Sequence, residues 1–400
     1  MIYDCIIVGR GLIGSAAAKY ISNSQKKVAL IGPDEETVLQ QQIIFASHYD
    51  RARIQRIFGR DEVSTLLNQQ STSAYSSIQN ESGIQFHSEE GCLYVNPYCI
   101  DSYLENIVTQ SKNFAVDFQS FDSGESLDSF APDYHFPPSS KGIYEAAPSG
   151  HINPRLLIKA QLTLFEKNGG NIFNDTVTDV SNEKDEIKIT TLSGQTFHAK
   201  KVLLSPGAFV NFFNLLKQKL FLTMKSESTI WVKTNTDEGL RLSKLPSLLY
   251  KIKEPEIDDI YLIRPLQYPD GNFYLKMGAN FPGDIFFKNL AEIQDWFETG
   301  NNEENLKTMK DYLLQLIPSI SIENSFTKKC IVCYTRHGKP YIGEVENNLF
   351  VAAGGNGYSA MSSDALGKLA ATFLIENKFP QPFPAYDFRL VFADQQTNYY

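Results

Sequence analysis

The chain has 400 residues, of which 42% are apolar and 12% aromatic, so it can form the core of one large domain or of two closely packed domains. Its 37 Lys and Arg residues are outnumbered by 46 Asp and Glu residues, and the net charge of −9 disfavours nucleic acid or an anionic membrane as a partner. No apolar run is long enough to span a membrane, and no basic leader precedes the apolar N-terminal segment.

The 5 cysteines are sparse and odd in number, which is typical of a reducing compartment, so we expect a cytoplasmic protein. We also expect a monomer or a weak dimer. Cys330 and Cys333 form a CxxC pair within an apolar run that predicts a strand. Because a second ligand pair is missing, zinc binding and dithiol chemistry are disfavoured, and we expect no metal site.

The first predicted elements are a strand, a glycine-rich turn and a helix. The strand covers residues 2–8, and Gly9, Gly11 and Gly14 follow in GxGxxG spacing. The first glycine permits a tight turn, the second lets the backbone approach a pyrophosphate, and the third lets the helix pack on the strand. Free N–H groups at the helix start, around Leu12 and Ile13, receive the phosphates. With a second strand predicted at 27–31, this indicates a dinucleotide site rather than a glycine-rich turn without function.

One part of the dinucleotide pattern is absent. The acidic residue that binds the adenosine ribose normally ends the second strand, and Gly32 occupies that position. Asp34 is our candidate for this contact, with Glu35, backbone groups or water as alternatives.

The middle of the chain departs from a regular alternation of strands and helices. Residues 60–145 predict a polar helix followed by irregular, Pro- and Ser-rich sequence. Regular elements return after Asn153: a helix at 156–167, strands at 171–177, 187–191, 201–204 and 349–353, and a helix at 360–375. A nucleotide domain assembled from separated segments is typical of flavoproteins and disfavours a plain nicotinamide dehydrogenase.

Several motifs near both ends of the chain carry a family resemblance. They are GRGLIGSA at 9–16, SHYDRARIQR at 47–56, GCLYV at 91–95, SPGAF at 205–209, YLKMG at 274–278, CYTRHGKPYIG at 333–343 and AAGGNGYSAMSSDALG at 352–367. Together they resemble the amine-oxidising flavoproteins of the D-amino-acid-oxidase superfamily, most of all the branch of monomeric sarcosine oxidase and N-methyltryptophan oxidase. GKPYIG also resembles glycine oxidase.

The resemblance implies an α/β fold with two parts. One is a glutathione-reductase-like FAD domain with a doubly wound parallel sheet, expected at 1–59, 150–225 and 326–400. The other is an α+β substrate domain at 60–149 and 226–325, whose antiparallel sheet roofs the flavin.

Arg53 and Arg56 stand three residues apart, which predicts one face of a helix. The resemblance implies that Arg53 stabilises the flavin and that Arg56 binds the substrate carboxylate, with His48 and Tyr49 close to the ring. A planar two-pronged donor suits a carboxylate. The alternative is an exposed basic helix face.

Lys276 lies in a predicted apolar strand at 273–277, where a buried ammonium requires a specific reason. The resemblance implies that it reaches the reactive nitrogen of the flavin through water and supplies positive charge as dioxygen is reduced. This favours an oxidase over a dehydrogenase. A structural lysine whose amine reaches solvent is the alternative.

Two departures from the family pattern affect the site. The position of the covalent flavin cysteine is Val332, while Cys330 is a dipeptide away on the same strand face and Cys333 points to the other face. We therefore predict noncovalent FAD, with a covalent link through Cys330 or Cys333 still open. Met361 replaces a lysine that helps to bind the carboxylate.

Without that lysine, Arg56 is left to bind the substrate carboxylate. Either Arg264 or Arg336 takes over as the second cation, or the substrate is not a simple N-methyl amino acid. Met361 with Tyr261 and Tyr358 would suit a larger, more apolar amine, although these residues are equally typical of a core. N–H groups at 357–360, at the start of the predicted last helix, would stabilise the reduced ring. The remaining predicted cofactor contacts are Ser47, Val177, Gly207, Gly354, Gly357, Tyr358, Ser359 and Met361.

The predicted reaction is the oxidation of a C–N bond in a primary or secondary amine, with dioxygen reduced to hydrogen peroxide. Two alternatives remain open at this point: a flavin-dependent amine dehydrogenase or biosynthetic desaturase that does not use dioxygen, and a flavin-binding partner protein without catalysis.

Overall fold

A computed structural model describes residues 1–24, 26–46, 48–98, 102–300 and 303–393. The strands in these ranges are β1 (Ile2–Val8), β2 (Val28–Ile31), β3 (Arg53–Gln55), β4 (His87–Ser88), β5 (Cys92–Asn96), β6 (Phe118–Phe121), β7 (Lys141–Glu145), β8 (Gly150–Ile152), β9 (Asn171–Phe173), β10 (Val177–Asn182), β11 (Ile187–Thr191), β12 (Thr196–Leu204), β13 (Leu222–Thr234), β14 (Ser247–Lys253), β15 (Asp258–Gln267), β16 (Phe273–Asn280), β17 (Phe286–Phe287), β18 (Asn324–Thr335), β19 (Tyr341–Glu346) and β20 (Leu349–Ala353). The helices are α1 (Leu12–Ser22), α2 (Glu35–Gln41), α3 (Glu62–Ser82), α4 (Tyr103–Phe114), α5 (Gly124–Phe130), α6 (Pro154–Lys167), α7 (Thr236–Arg241), α8 (Leu290–Thr299), α9 (Glu303–Leu316) and α10 (Ser363–Glu376).

The first sheet has a parallel centre in the order β9-β2-β1-β12-β20. The strands of this sheet are short apolar runs in the sequence because helices cover them. β2 and β20 are buried along their whole length. α1 and α10 pack closely because small residues meet: a Cβ on Gly367 would lie 2.4 Å from the Ala16 Cβ. This is the doubly wound arrangement that the sequence predicts.

The second sheet is mainly antiparallel and runs in the order β17-β13-β16-β15-β14-β5-β7-β6, with β18 paired to β13. Side chains alternate between its two faces. Ile230, Val232, Leu275 and Met277 lie on one face and join the apolar core that α9 covers. The opposite face meets the loop between α2 and β3, where Lys276 contacts Asp50, and the glycine-rich loop that follows β20.

The predicted fold class is confirmed, and three local predictions are wrong. Residues 60–145 are not irregular after the first helix: β5 is a fully buried strand between β7 and β14, whose partners lie too far away in sequence to be foreseen. Residues 53–56 are not helical, because β3 pairs with β8. The last helix begins at Ser363, and turns occupy the stretch before it.

No helix among the described residues is both long and apolar enough to cross a membrane.

Candidate active site

The loop between β1 and α1 is built around two glycines that no other residue could replace without a clash. Gly9 has a φ of +112°, and a Cβ there would lie 2.3 Å from the Ser205 backbone oxygen. A Cβ on Gly14 would lie 1.9 Å from the Gly9 oxygen. The turn therefore closes tightly against the loop that follows β12, and α1 starts directly above the sheet.

Gly11 is different, because the space beside it is open. A Cβ on this residue would meet nothing nearer than the His48 ring, at 3.9 Å. Gly11 is the N-cap of α1 and no side chain caps the helix, so N–H groups of the first turn, including those of Leu12 and Ile13, point into this space. An open glycine below an uncapped helix start fits the pyrophosphate of a dinucleotide.

Asp34 is the N-cap of α2. Its Oδ1 accepts a hydrogen bond of 2.9 Å from the Thr37 N–H, and its Oδ2 accepts one of 2.9 Å from Asn174. The bond from the Thr37 N–H is the main reason why the pKa of Asp34 is lowered, so the carboxylate is ionised at neutral pH. Ribose binding by Asp34 stays a prediction, and Ser47 lies outside the described residues.

A buried ionic network surrounds Asp50, in the loop before β3. Its Oδ2 accepts hydrogen bonds from Lys276, at 2.5 Å, and from Arg53, and its Oδ1 accepts one from the Tyr268 hydroxyl, at 2.9 Å. Lys276 is 3% exposed and Asp50 is also 3% exposed. The predicted site residues Lys276 and Arg53 thus meet through a carboxylate that the sequence analysis did not single out.

The network sets the charge of its members. Burial by itself would raise the pKa of Asp50, but the Lys276 and Arg53 charges hold that pKa well below its usual range. Burial lowers the pKa of Lys276, as does the neighbouring Arg53, and the Asp50 carboxylate opposes this shift. We take Asp50 to be ionised and Lys276 to be the cation paired with it, because the short contact between them stabilises both charges.

His48 stands between Gly11 and this network, and its ring packs edge-on against Tyr49 with 4.6 Å between the ring centroids. Burial, followed by the charge of Arg53, lowers the pKa of His48 to about 3. The imidazole is therefore neutral at physiological pH and can serve as a hydrogen-bond donor or acceptor. Burial raises the pKa of the Tyr49 phenol, which stays protonated.

A cavity of about 330 Å³ lies under the second sheet, between its polar face and the loop that follows β20. Its lining combines charged groups with aromatic rings. These residues come from α4, from five strands of the second sheet and from the loops after β3 and β20: Arg56, Arg60, Tyr103, Glu227, Lys251, Asp259, Tyr261, Asn280, Tyr334, Asn356, Gly357 and Tyr358. A smaller cavity of about 50 Å³ adjoins it and is lined in part by Arg56, Lys339, Tyr358, Ser359 and Met361. The volume and lining of the larger cavity suit a small polar molecule.

Two arginines define one end of the cavities. Arg56 lines both of them, is 2% exposed, donates a hydrogen bond of 2.6 Å to the Phe58 oxygen and lies over the Tyr94 ring. Arg60 is exposed and stacks on the Tyr358 ring, 4.2 Å from its centroid. Arg60 and Met361 both line the smaller cavity, so Arg60 is a further cation of the cavity that includes Met361.

The loop after β20 shapes the cavity floor through left-handed backbone. Gly354 and Gly357 have φ values of +83° and +76°. Asn356 fixes the loop to β18, because its Oδ1 accepts a hydrogen bond of 2.8 Å from the Thr335 N–H. Gly357, Tyr358 and Ser359 of this turn-forming loop line the cavities.

The other predicted site residues are dispersed. Arg264 lines neither cavity and lies 3.8 Å from the Glu90 carboxylate. Val177 is buried in the apolar core of the first sheet. Gly207, with a φ of +62°, lies in the loop after β12 whose Ser205 faces Gly9.

The cysteines of β18 point in opposite directions, as strand alternation requires. Cys333 packs in an apolar cluster with Phe209 and Met224. Cys330 is the register partner of Glu227. Val332 lies between Cys330 and Cys333 in sequence, 3.4 Å from a Cβ placed on Gly357.

We therefore expect the flavin to be bound without a covalent link. Burial raises the pKa of the Cys330 thiol and that of the Cys333 thiol, so neither is a thiolate at neutral pH. Acid precipitation of the holoprotein should release nearly all of the flavin absorbance into the supernatant. A yellow pellet that survives washing would contradict this expectation, and Cys330→Ala would then identify the attachment site.

The sequence analysis missed four residues of this site, of which two had a signal in the sequence and two had none. Asp50 lies inside the SHYDRARIQR motif. Glu227 is a charged residue within the otherwise β-prone stretch of β13, and this charge was the signal that could have identified it. Arg60 and Tyr103 had no such signal, because only the tertiary fold brings them to the cavity.

Comparison with known proteins places the chain in a family. A model of the DAO family, described as FAD dependent oxidoreductase, matches residues 4–372. N-methyl-L-tryptophan oxidase from Citrobacter koseri is 29% identical over 214 residues, which is 52% of this chain and 55% of that protein. The enzyme of the same name from Salmonella typhimurium is 28% identical over 213 residues, with the same coverage. The chain thus spans about half the length of the curated relatives that it matches.

Solved structures share the fold over nearly the whole chain. NikD, an unusual amino acid oxidase essential for nikkomycin biosynthesis, superposes in its open form with a TM-score of 0.77 at 14% identity, covering 99% of each chain. Glycine oxidase from Geobacillus kaustophilus gives 0.73 at 18% identity, covering 97% of this chain and 98% of that one. L-proline dehydrogenase from P. horikoshii gives 0.73 at 16% identity, with 97% and 96% covered. Together with the family match, these likenesses confirm the predicted superfamily resemblance and fold.

Proposed function

Because the chain belongs to the family of FAD-dependent oxidoreductases, we propose that it oxidises the C–N bond of a primary or secondary amine, and that the substrate is an amino acid or a derivative of one. The observation that carries this proposal is the buried Lys276 of β16, whose ammonium pairs with the Asp50 carboxylate that Arg53 also binds, on the face of the second sheet that lines the polar cavity. When bound, FAD would accept a hydride from the carbon next to the amine nitrogen and pass two electrons to dioxygen, giving hydrogen peroxide, while water hydrolyses the imine.

The cradle residues would hold the cofactor. Backbone N–H groups between Gly11 and Gly14 would bind the pyrophosphate, since no side chain of the helix start competes for them. Neutral His48 and the cation of Arg53 would lie by the ring, and the turns at 357–360 would complete its surroundings. The domain boundaries at 1–59, 150–225 and 326–400 are part of the same proposal, with 60–149 and 226–325 as the substrate domain.

Arg56 and Arg60 would bind the substrate carboxylate. Arg56 is oriented by the Phe58 oxygen and by the Tyr94 ring, and Arg60 by the Tyr358 ring, so both guanidinium groups are held before a ligand enters. A guanidinium that is already positioned loses little conformational freedom on binding a carboxylate.

Lys276 would provide the positive charge that dioxygen reduction requires. Its ammonium is fixed by Asp50 and by the Ala52 oxygen, 3.4 Å away, so no reorganisation is needed as negative charge develops on dioxygen. A dehydrogenase with another electron acceptor is the second candidate, since L-proline dehydrogenase shares the fold.

The experiment that tests the proposal is the visible spectrum of the purified holoprotein before and after anaerobic addition of primary, secondary and N-methylated amines and amino acids. Bleaching of the flavin absorbance by members of the panel is the expected result. If no amine bleaches the flavin, the amine-oxidising function is wrong and a flavin-binding partner protein becomes the better interpretation.

A further inference from the structure

We propose that Glu227 is the residue that binds the positively charged nitrogen of the substrate, and that the cavity therefore selects zwitterions whose cation lies at Glu227. This inference rests on the proposed function, which it deepens by assigning the second pole of the substrate. It concerns a residue that neither the family motifs nor the ionic network around Asp50 includes.

The position of Glu227 follows from strand alternation on the polar face of the second sheet. Lys225 and Glu227 point to this face from β13, Cys330 is the register partner of Glu227 on β18, and Asn280 comes from β16. Glu227 lines the 330 Å³ cavity together with Asn280 and Tyr261. Its carboxylate therefore faces a space that a small molecule can enter.

Glu227 is a carboxylate without a counter-ion among the described residues. The contact given for its side chain is one hydrogen bond from the Tyr261 hydroxyl, at 3.5 Å, which is the limit of such a bond. By contrast, the neighbouring Lys225 pairs with Asp284, and Lys251, on the same cavity wall, pairs with Asp259 at 2.5 Å. Glu227 is half-buried in β13, and an unpaired carboxylate that has lost part of its water is costly unless a cation arrives.

The surroundings of Glu227 favour an organic cation over a metal ion. Tyr103, Tyr261, Tyr334 and Tyr358 all contribute to the cavity lining. Aromatic ring faces attract ammonium groups, and a carboxylate beside such rings binds both charged and alkylated nitrogens. With Arg56 and Arg60 on the same cavity, the site has a cationic part and an anionic part, as the two ends of an amino acid require. After binding, the ammonium would pass one proton to the Glu227 carboxylate, so that the neutral amine is the form whose neighbouring carbon gives up a hydride.

The pKa of Glu227 depends on its burial and on the charged side chains around it. Burial, the largest effect, raises the pKa of Glu227 above its ordinary value, and Asp284, after β16, acts in the same direction. The charges of Lys225, Lys276 and Arg53 lower the pKa but do not outweigh burial. The uncharged thiol of Cys330 and the phenols of Tyr261 and Tyr334 also lie around the carboxylate, and burial raises the pKa of each of them.

The test uses two probes that the enzyme cannot oxidise, because neither has a hydrogen on the carbon that carries its polar group. They are tert-butylammonium and its neutral isostere tert-butanol. Binding is measured on the holoprotein by the perturbation of the flavin spectrum and by the shift in melting temperature. We expect wild type to bind the cation about tenfold or more tightly than the alcohol at pH 8, as a charge-assisted contact to a carboxylate provides.

Glu227→Gln should remove this preference while leaving tert-butanol affinity unchanged, and Glu227→Asp should keep part of it. Glu256→Gln, at an exposed glutamate of the β14–β15 hairpin, makes the same charge change outside the cavity and should behave as wild type. In wild type, cation affinity should fall as the pH decreases through the raised pKa of Glu227, because protonation removes the negative charge. This pH dependence should be absent in Glu227→Gln.

Three results would overturn the inference: a wild type without preference for the cation, a Glu227→Gln variant that retains it, or a wild-type affinity that does not change with pH. Failure of the proposed function gives a different pattern, in which no amine bleaches the flavin although tert-butylammonium still binds through Glu227. If amines bleach the flavin equally well in wild type and in Glu227→Gln, with equal probe affinities, then the function stands and the role of Glu227 is wrong.

Discussion

Lys276→Met is expected to slow the reoxidation of the reduced flavin by dioxygen about a hundredfold or more, which is the usual effect of removing a preorganised charge from a developing anion. Reduction of the flavin by an amine should change much less, because Lys276 does not line the cavity in which we place the substrate. Stopped-flow absorbance separates the two rates: anaerobic mixing with an amine measures reduction, and mixing the reduced enzyme with dissolved dioxygen measures reoxidation.

The variant should fold because Asp50 keeps the Arg53 ion pair and the hydrogen bond from Tyr268 after the lysine is lost. Lys225→Met is a matched control. Lys225 is also a buried lysine on the second sheet paired with a carboxylate, Asp284, so its loss imposes a similar structural cost. This control should reoxidise at nearly the wild-type rate.

A Lys276→Met variant that reoxidises as fast as wild type would contradict the oxidase proposal. The dehydrogenase alternative would then gain support, and the same instrument could test it with an artificial electron acceptor in place of dioxygen.

Substitutions in the glycine-rich loop should separate cofactor binding from folding. Gly11→Ala should weaken FAD binding about a hundredfold, as expected when two charge-assisted hydrogen bonds from backbone N–H groups to phosphate are lengthened. The apoprotein should lose no more than about 1 kcal/mol of its free energy of unfolding, because Gly11 has an extended φ of −82° and a Cβ there meets open space.

Gly14→Ala should instead lower the stability of the apoprotein itself. Its Cβ would lie 1.9 Å from the Gly9 oxygen, so the substitution should destabilise even the apoprotein, by about 3 kcal/mol or more. Chemical denaturation of the two apoproteins, with fluorescence titration of FAD, provides the measurements. Equal losses of stability in the two variants would show that the space beside Gly11 is not reserved for a ligand.

The nucleotide-binding half of the fold was predictable because its signals are local. The strand Ile2–Val8, the three glycines and the start of α1 stand next to one another in sequence, and the structure shows a steric reason for Gly9 and Gly14 directly. Lys276 was also predictable, since a lysine inside an apolar strand needs a partner. The identity of that partner, Asp50, was not, because 226 residues separate the two.

The predictions that failed depended on tertiary contacts. Residues 53–55 form a strand because β8 pairs with them, and residues 92–96 form a buried strand because β7 and β14 flank them. Local propensity cannot supply such distant partners. Glu227 could not be predicted for the same reason, because the role proposed for it depends on the absence of a nearby counter-ion among the described residues.

The sequence by itself therefore determined the dinucleotide cradle, the α/β class, the family and the need of Lys276 for a buried partner, because each of these follows from residue spacing, steric demand or the cost of burying a charge. Only the tertiary structure decided which charges are paired. It joins Lys276 and Arg53 through Asp50, brings Arg60 to the Tyr358 ring, and leaves Glu227 facing the cavity. The reason is physical: ion pairing and burial depend on distance in space, which the pairing and register of distant strands determine.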